Sequence, residues 1–463
     1  MIKQIAINRI KFISGVILVF LAGYLIDISL AVPVFLICLY AYLRFREAPL
    51  KNCKLLYLVF LFAINFVSSY FIMKQKLPVF YLPFCLVPML ATVLFNDLEV
   101  SLVITFASAV SIVYIAGTNF YLGVLFLISG ILSSLFVFGA RRRSTIIRAG
   151  FIVGALQVLT LFFIDRFWIG LPDRYLILIL NSIISSIIVI GALPIFEFLF
   201  KTVTNVSLLE LADFNHPLLQ RMILEAPGTY HHSLVVGNLS DAASRAIGAN
   251  ALLARIGGYY HDIGKLEKAE YFSENQDLAG NKHDNLSADM SKLVIINHVK
   301  EGVELAKKYN LNPRLTDFIL QHHGNSLVYY FYRRALETLE EDQEVKEEGF
   351  RYPGPKPNTK ETAIVLLADS VEAASRALKD PAPTKIAEVT HKIINNKFID
   401  GQLDECDLTL KDLEKISAVF IRILGGIYHS RITYPESQRS ENNHKKSSKE
   451  DSHHSEKGKI SSP

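Results

Sequence analysis

Residues 256–265 read Ile256-Gly257-Gly258-Tyr259-Tyr260-His261-Asp262-Ile263-Gly264-Lys265. The stretch puts an imidazole and a carboxylate side by side at the end of an apolar helical run. Gly257 and Gly258, one turn earlier, let another helix or a substrate approach closely. A lone His-Asp pair is weak evidence, since Asp262 could equally be a surface carboxylate or a helix cap. Its weight comes from five further residues: His232 upstream, and His298, His322, His323 and Asp369 downstream. Five imidazoles and two carboxylates suit a two-metal hydrolytic centre, provided each faces the core side of its helix. From about 227 to 435 the apolar period is helical nearly throughout, with no convincing strand alternation, so the predicted fold is all-α.

The register test can be applied to each residue. Val235, Val236, Leu239 and Ala243 follow His232 at helical spacing, whereas His231 lines up with Leu234, Val235 and the polar Asn238; the period favours His232 by a modest margin and leaves His231 as a supporting or surface residue. Pro227-Gly228 predicts a turn, with Thr229 as the cap of the next helix. His298 lies in the apolar run Leu293-Val294-Ile295-Ile296-Asn297-His298-Val299, where a buried neutral histidine with one hydrogen bond is the bland alternative. Asn312 and Pro313 begin a helix that ends at Gly324, and Leu315, Phe318 and Ile319 put His322 on its core face. His323, at the helix end, can join the same site, and two consecutive histidines are hard to explain by packing alone. Asp369 ends the run Ala363-Ile364-Val365-Leu366-Leu367-Ala368 in a helix predicted to start at Asn358 with Glu361 as a capping box. A buried carboxylate there requires a cation. Arg376, with Glu372 on the same face, offers a salt bridge instead of a metal. Lys265 either balances a phosphate or is a solvated cation at a helix C-terminus, and both readings stand.

The first half is of a different kind. The 463 residues are 51% hydrophobic, with mean hydropathy +0.30, and the apolar excess sits in residues 12–200. Spanning helices are predicted near 12–27, 30–45, 55–74, 79–95, 99–117, 119–140, 147–167 and 175–198. With eight crossings, Lys3, Arg44, Arg141, Arg142, Arg143 and Lys201 fall on one side, the cytoplasm, together with the catalytic half, while Lys74 and Lys76 run against the pattern and Arg166 and Arg174 lie opposite, balanced by Asp165 and Asp173. The basic N-terminus followed by an apolar run reads as a retained signal anchor. The expected division is 1–200 transmembrane domain, 201–226 connector helix, 227–435 catalytic domain and 436–463 disordered tail, in a multi-pass membrane protein. The net charge of +4 averages two unlike halves and implies no nucleic-acid polymer as partner. Four scattered cysteines give neither a disulfide framework nor zinc spacing.

Several stretches, HPLLQRMILEAPGTYHHSLVVGNL (216–239), IGANALLARIGGYYHDIGK (247–265), INHVKEGVELA (296–306), LQHHG (320–324), YPGPKP (352–357), ETAIVLLADSVEAASRA (361–377) and DGQLDECDLTLKDLEKI (400–416), carry a resemblance. The chain resembles the HD-domain phosphohydrolase superfamily, and within it the membrane-bound, PgpH-type cyclic-di-AMP phosphodiesterases (seven-transmembrane HD family). The resemblance implies a first metal held by His232, His261, Asp262 and Asp369, and a second held by His298, His322 and His323 with Asp262 bridging. It implies two divalent ions, iron or manganese, in-line attack on a phosphorus of a cyclic dinucleotide, and linear pApA as product. Asp262 and Lys265 are the catalytic candidates. Relatives of this kind usually carry a large extracytoplasmic domain after the first helix, and only Asp27 to Ser29 intervene here, so that input module is expected to be missing. The lipid bilayer is an expected partner, and a homo-oligomer is left open. The rivals are a phosphohydrolase for cyclic di-GMP, a dNTP or an alarmone, and a nucleotide-binding membrane receptor without turnover.

Overall fold

The computed structural model describes residues 54–116, 120–165, 172–276, 282–337, 345–379 and 381–428. The expected spans at 12–27 and 30–45 and the tail 436–463 lie outside the described residues. The membrane half runs α1 (Lys54–Lys74), α2 (Leu86–Phe95), α3 (Leu98–Ile115), α4 (Phe120–Val137), α5 (Arg143–Ile164) and α6 (Pro172–Phe200). All but α2 are long and apolar enough to cross a bilayer, making this a multi-pass membrane protein.

The expected span at 79–95 is not one helix. Pro83 pushes Leu82 into extended geometry (φ −63°, ψ 124°), leaving a 3-10 turn at Val79–Tyr81 and the ten-residue α2, only about 15 Å long. Broken backbone in an apolar layer must find partners. Asn181 of α6 supplies them, its amide donating to the carbonyls of Phe80 (3.0 Å) and Leu82 (2.8 Å). The segment still traverses the bundle. Leu82 and Phe84 pack with Ile72 near the C-terminal end of α1, whereas Phe95 and Tyr57, near its N-terminal end, both stack on Phe200.

The stretch 201–226 is not a single connector helix but two short ones, α7 (Asn205–Leu211) and α8 (Pro217–Glu225), separated at His216-Pro217. It is also not a free link. Val206 packs into the membrane bundle, while Leu208, Leu218, Leu219 and Met222 belong to the catalytic core. Glu197 at the end of α6 accepts from the Thr204 amide (2.7 Å) and the Ser207 hydroxyl (2.8 Å). Arg143 makes a two-pronged bond to Glu210 (2.7 and 3.0 Å), which puts the Arg141–Arg143 cluster on the catalytic side.

The catalytic half continues as α9 (Pro227–Ile247), α10 (Ala251–Tyr260), α11 (Ala288–Lys308), α12 (Pro313–Gln321), α13 (Tyr329–Glu337), α14 (Lys360–Arg376), α15 (Pro383–Ile399) and α16 (Leu410–Ile427). Among the described residues there is no strand, only an isolated bridge between Leu327 and Arg351. The centre is α14, whose residues Ala363 to Ala368 are fully buried, as a helix apolar on all sides must be. Two caps differ from expectation. α9 begins at Pro227, so Thr229 lies inside it and its amide donates to Asn275. α14 is capped by Thr359 in a capping box with Thr362, while Glu361 instead accepts from the Asn250 amide (2.7 Å). The β-hydroxyl of Thr359 sits one residue closer to the first turn than Asn358, and it takes the role.

Candidate metal centre

The five histidines and two aspartates come from separate elements and converge. His232 lies on α9, the His261-Asp262 pair closes α10, His298 lies on α11, His322 and His323 close α12, and Asp369 projects from α14. Two backbone features bring the helices close enough. Gly258 of α10 meets Gly237 of α9, where an added Cβ would lie 2.7 Å from a backbone atom. Gly264 lies against the chain around His298, and a Cβ there would come within 1.8 Å of the His298 carbonyl oxygen. Side chains are excluded at both crossings, and the helix approach anticipated for the glycines before His261 is realised between α9 and α10.

Two donor sets result. His232, His261, Asp262 and Asp369 form one, and Asp262, His298, His322 and His323 the other, with the donor atoms of each set within 4.8 Å of one another. Asp262 divides its oxygens between them. Oδ2 lies 3.2 Å from His261 Nε2 and 3.6 Å from His232 Nε2, while Oδ1 lies 3.4 Å from His298 Nε2 and 3.5 Å from His322 Nε2. Asp369 Oδ1 is 3.0 Å from His232 Nε2 and 3.8 Å from His261 Nε2, and its Oδ2 is 3.6 Å from His323 Nδ1.

The ring orientations follow from what holds their far nitrogens. His261 Nδ1 donates to the Gly258 carbonyl (2.7 Å), His322 Nδ1 to the Ile319 carbonyl (2.9 Å), His298 Nδ1 to the Ile295 carbonyl, and His232 Nδ1 to the Glu372 carboxylate. Carbonyls and a carboxylate accept, so each Nδ1 carries a proton and Nε2 is the atom turned to the centre. His323 is set differently, its ring stacked on Tyr352 at 4.2 Å. His231 is exposed, as its register predicts.

The electrostatics fit the donor set. Burial would raise the carboxyls of Asp262 and Asp369, but the surrounding imidazoles and, for Asp262, Lys265 hold both well below the usual range. Burial holds His323 well below the ordinary imidazole value and His298 down at about 4, so both are neutral, as a ligand must be. Burial opposes a proton on His261 and on His232, yet Asp262 and Asp369 lift His261 to about 10 and Asp369 and Glu372 raise His232, so an ion binding at either Nε2 must displace a proton there. Deep in this cluster, His261 Nε2 and Asp262 Oδ1 have no hydrogen-bond partner. Buried polar atoms are rarely left so, and divalent cations fit both the gap and the donor chemistry.

Lys265 is not a solvated cation. Its ammonium is clasped between Asp262 Oδ2 (2.8 Å) and Glu274 Oε1 (2.7 Å) and lies 5.0 Å from the centre of the Phe272 ring. Burial would raise the Glu274 carboxyl, but Lys265 draws it down to about 2. The salt bridge proposed for Asp369 is also absent: Arg376 approaches Glu372 at 4.0 Å, and Glu372 is turned to His232. Sequence reasoning gave Glu372 only a salt-bridge role beside Arg376, where the structure turns it to His232, and it missed Glu274 and Tyr352. Glu274 and Tyr352 arrive from irregular segments and leave no periodic signal.

Comparison with known proteins agrees with this architecture. A family model described as 7TM receptor with intracellular HD hydrolase matches residues 6–204, and an HD-domain model matches residues 229–374. Among curated relatives, the cyclic-di-AMP phosphodiesterase PgpH of Bacillus subtilis (strain 168) is 45% identical over 329 residues, covering 70% of this chain and 46% of its own length. PgpH of Listeria monocytogenes serotype 1/2a (strain 10403S) is 39% identical over 389 residues, covering 82% and 54%. The chain thus spans about half the length of the curated relatives it matches. The solved HD domain of L. monocytogenes PgpH in complex with cyclic-di-AMP is 47% identical, covers 47% of this chain and 100% of its own, and superposes with a TM-score of 0.45.

Proposed function

The chain belongs to the family of seven-transmembrane receptors with an intracellular HD hydrolase, and on that premise we propose that it is a metal-dependent phosphodiesterase that opens cyclic di-AMP to linear pApA at the cytosolic face of the bacterial plasma membrane. The observation that carries the reading is the division of Asp262, one oxygen toward each imidazole set. His232, His261 and Asp369 complete one ion site, and His298, His322 and His323 the other. Two ions bound there would supply Lewis acidity and a water of lowered pKa, and iron or manganese suits the mixed imidazole and carboxylate donors.

The chain's own residues do the positioning. Carbonyls at Gly258, Ile295 and Ile319 and the carboxylate of Glu372 fix the imidazole rings before any ligand arrives. Lys265 holds Asp262 in place and is itself held by Glu274, which makes it a positioning residue for the shared carboxylate. The PgpH relatives named above are cyclic-di-AMP phosphodiesterases, which favours that substrate over cyclic di-GMP, a dNTP or an alarmone.

The test is turnover by the purified full-length chain, reconstituted with iron or manganese, on cyclic di-AMP, cyclic di-GMP, dGTP and an alarmone, with metal content measured in parallel. The reading expects about two ions per chain and preferential formation of pApA. A fully metallated protein that leaves cyclic di-AMP intact would sink it. Reporter fusions at Thr118 and Gly170 check the orientation, since both should read extracytoplasmic.

A further inference from the structure

Beside the metal centre, on the side of His323, the structure holds an amino group that the proposed chemistry does not use. Lys397, near the C-terminal end of α15, is partly buried and donates from Nζ to Ser326 Oγ at 2.7 Å. Ser326 is joined to the site by backbone: its amide donates to the His323 carbonyl (3.1 Å), and its own carbonyl accepts from the Tyr352 amide (3.0 Å), whose ring stacks on His323. The start of the 400–416 stretch and Arg351, just before 352–357, brace this loop. Gln402 accepts from the Asn325 amide (3.0 Å) and donates to Asn325 Oδ1 and Asp400 Oδ2, both at 2.7 Å. Arg351 donates to the Asn325 carbonyl (2.9 Å) and grips both Asp400 and Glu347.

Each other cation around the centre is matched to a carboxylate. Lys265 has Asp262 and Glu274, Arg351 has Asp400 and Glu347, Lys356 has Asp404 and Arg376 has Glu372. Among the described residues, Lys397 makes no ion pair and has a neutral hydroxyl for its partner. A partly buried ammonium with no counter-charge is unfavourable unless an anion arrives to pair with it. Burial pulls its pKa down, while the charges of Asp369 and Asp400 oppose that; the ammonium is thus within electrostatic reach of the centre.

We propose that Lys397, seated on Ser326, forms an anion subsite that receives the second phosphate of a cyclic dinucleotide while the first lies at the metal pair. A cyclic dinucleotide carries two phosphodiesters on opposite sides of one macrocycle. While one is cleaved the other keeps its charge, and a cation anchored to the loop behind His323 would hold and neutralise it. This inference rests on the phosphodiesterase reading and adds to it a determinant of substrate class, because a substrate with a single phosphodiester has nothing to offer Lys397.

The experiment uses the full chain loaded with manganese and compares cyclic di-AMP with bis(p-nitrophenyl) phosphate, which has one phosphodiester. Lys397→Met should raise KM for cyclic di-AMP by about 10- to 100-fold, the loss of one charge-assisted hydrogen bond, with kcat, metal content and activity on the simple diester within about twofold of wild type. Lys397→Arg should restore most of the affinity. The proposal is overturned if Lys397→Met leaves cyclic di-AMP kinetics unchanged. It is equally overturned if both substrates lose activity in proportion or metal is lost, because Lys397 would then merely brace the His323 loop. A wild-type protein that cleaves bis(p-nitrophenyl) phosphate but no cyclic dinucleotide defeats the cyclic-dinucleotide reading, and the subsite falls with it. That outcome is read on the wild type, before any variant is made.

Discussion

The two halves of this molecule bury polar groups in opposite ways. In the membrane half, hydroxyls are mostly returned to their own helix. Thr92 donates to the Pro88 carbonyl, Thr105 to Ser101, Ser111 to Ala107, Ser129 to Leu125 and Ser133 to Ser129, each one turn back. In the catalytic half, the buried polar atoms look across elements. His232 reaches from α9 to α14, and Asp262 faces helices from three other segments. Locally satisfied groups need nothing from outside. The second arrangement concentrates charge and leaves His261 Nε2 and Asp262 Oδ1 unpaired, and that is where ions belong. Asn65, Ser69, Ser108 and Arg174 Nε are also unpaired in the membrane half, but the first three are neutral and the Arg174 guanidinium is already paired with Asp165 through Nη2, so they do not create the same demand.

The sharpest way to break this comparison is to remove its most shared group. Asp262→Ala takes a donor from both sets at once, and it should release or misplace both metals and lower the rate by at least about 1000-fold. His231→Ala, on the exposed face of the same helix as His232, should keep its metals and nearly all of its rate. Metal analysis beside kcat reads both variants. Near wild-type turnover by Asp262→Ala would mean that the two donor sets do not act as one centre.

A smaller effect is expected one layer out. Glu372→Gln keeps the shape but weakens the hold on His232 Nδ1, and metal affinity should fall by about 10- to 100-fold, as for other partners of ligating histidines. Competition with a chelator measures it. Saturating metal should restore most of the activity, whereas a Glu372 that merely fills space would show lowered thermal stability with unchanged metal affinity.

How much of this was legible in the sequence differs between the halves for a physical reason. Long apolar helices announce themselves by composition, so α1 and α3–α6 could be placed within a few residues. The break at Leu82-Pro83 was missed because its compensation is Asn181, about 100 positions away, which no local pattern contains. In the catalytic half the period favoured His232 over His231, and the structure buries the first and exposes the second. It could not reveal Glu274, which reaches Lys265 from a 3-10 turn after an irregular stretch. It also could not show that 201–226 belongs to the catalytic core, because the amphipathic pattern of a linker and that of a short docked helix look alike.

At the boundary between the halves the expected effect is smaller still. Arg143 and Glu210 link the first turn of α5 to α7 with good two-pronged geometry, but both side chains are about half exposed (46% and 52%) and screened by solvent. Arg143→Ala should therefore lower stability by no more than about 1 kcal/mol, and less at high salt, as exposed pairs do. Thermal unfolding in detergent at two ionic strengths checks this. If catalysis on cyclic di-AMP instead shifts several-fold while stability holds, the pair transmits a state of the membrane bundle to the centre.

The smallest effect should come from the membrane interior. Ser111 is fully buried, yet its hydroxyl donates at 2.9 Å to the Ala107 carbonyl, an acceptor that the α-helical ladder of α3 already engages. Ser111→Ala removes a second bond to a satisfied oxygen and leaves a methyl that fits the same space. Neither partner is orphaned, so the change should stay near the roughly 0.6 kcal/mol typical of buried membrane hydrogen bonds. Detergent or denaturant unfolding of the full chain measures it, with phosphodiesterase activity as the second readout. Ser108→Ala is the contrasting variant, since that hydroxyl has no partner to lose, and it should be neutral or slightly stabilising. If Ser108→Ala proves strongly destabilising, or abolishes activity while the protein still folds, the membrane half also holds a polar group that something outside it must satisfy. The contrast between locally satisfied and ligand-demanding burial would then fail.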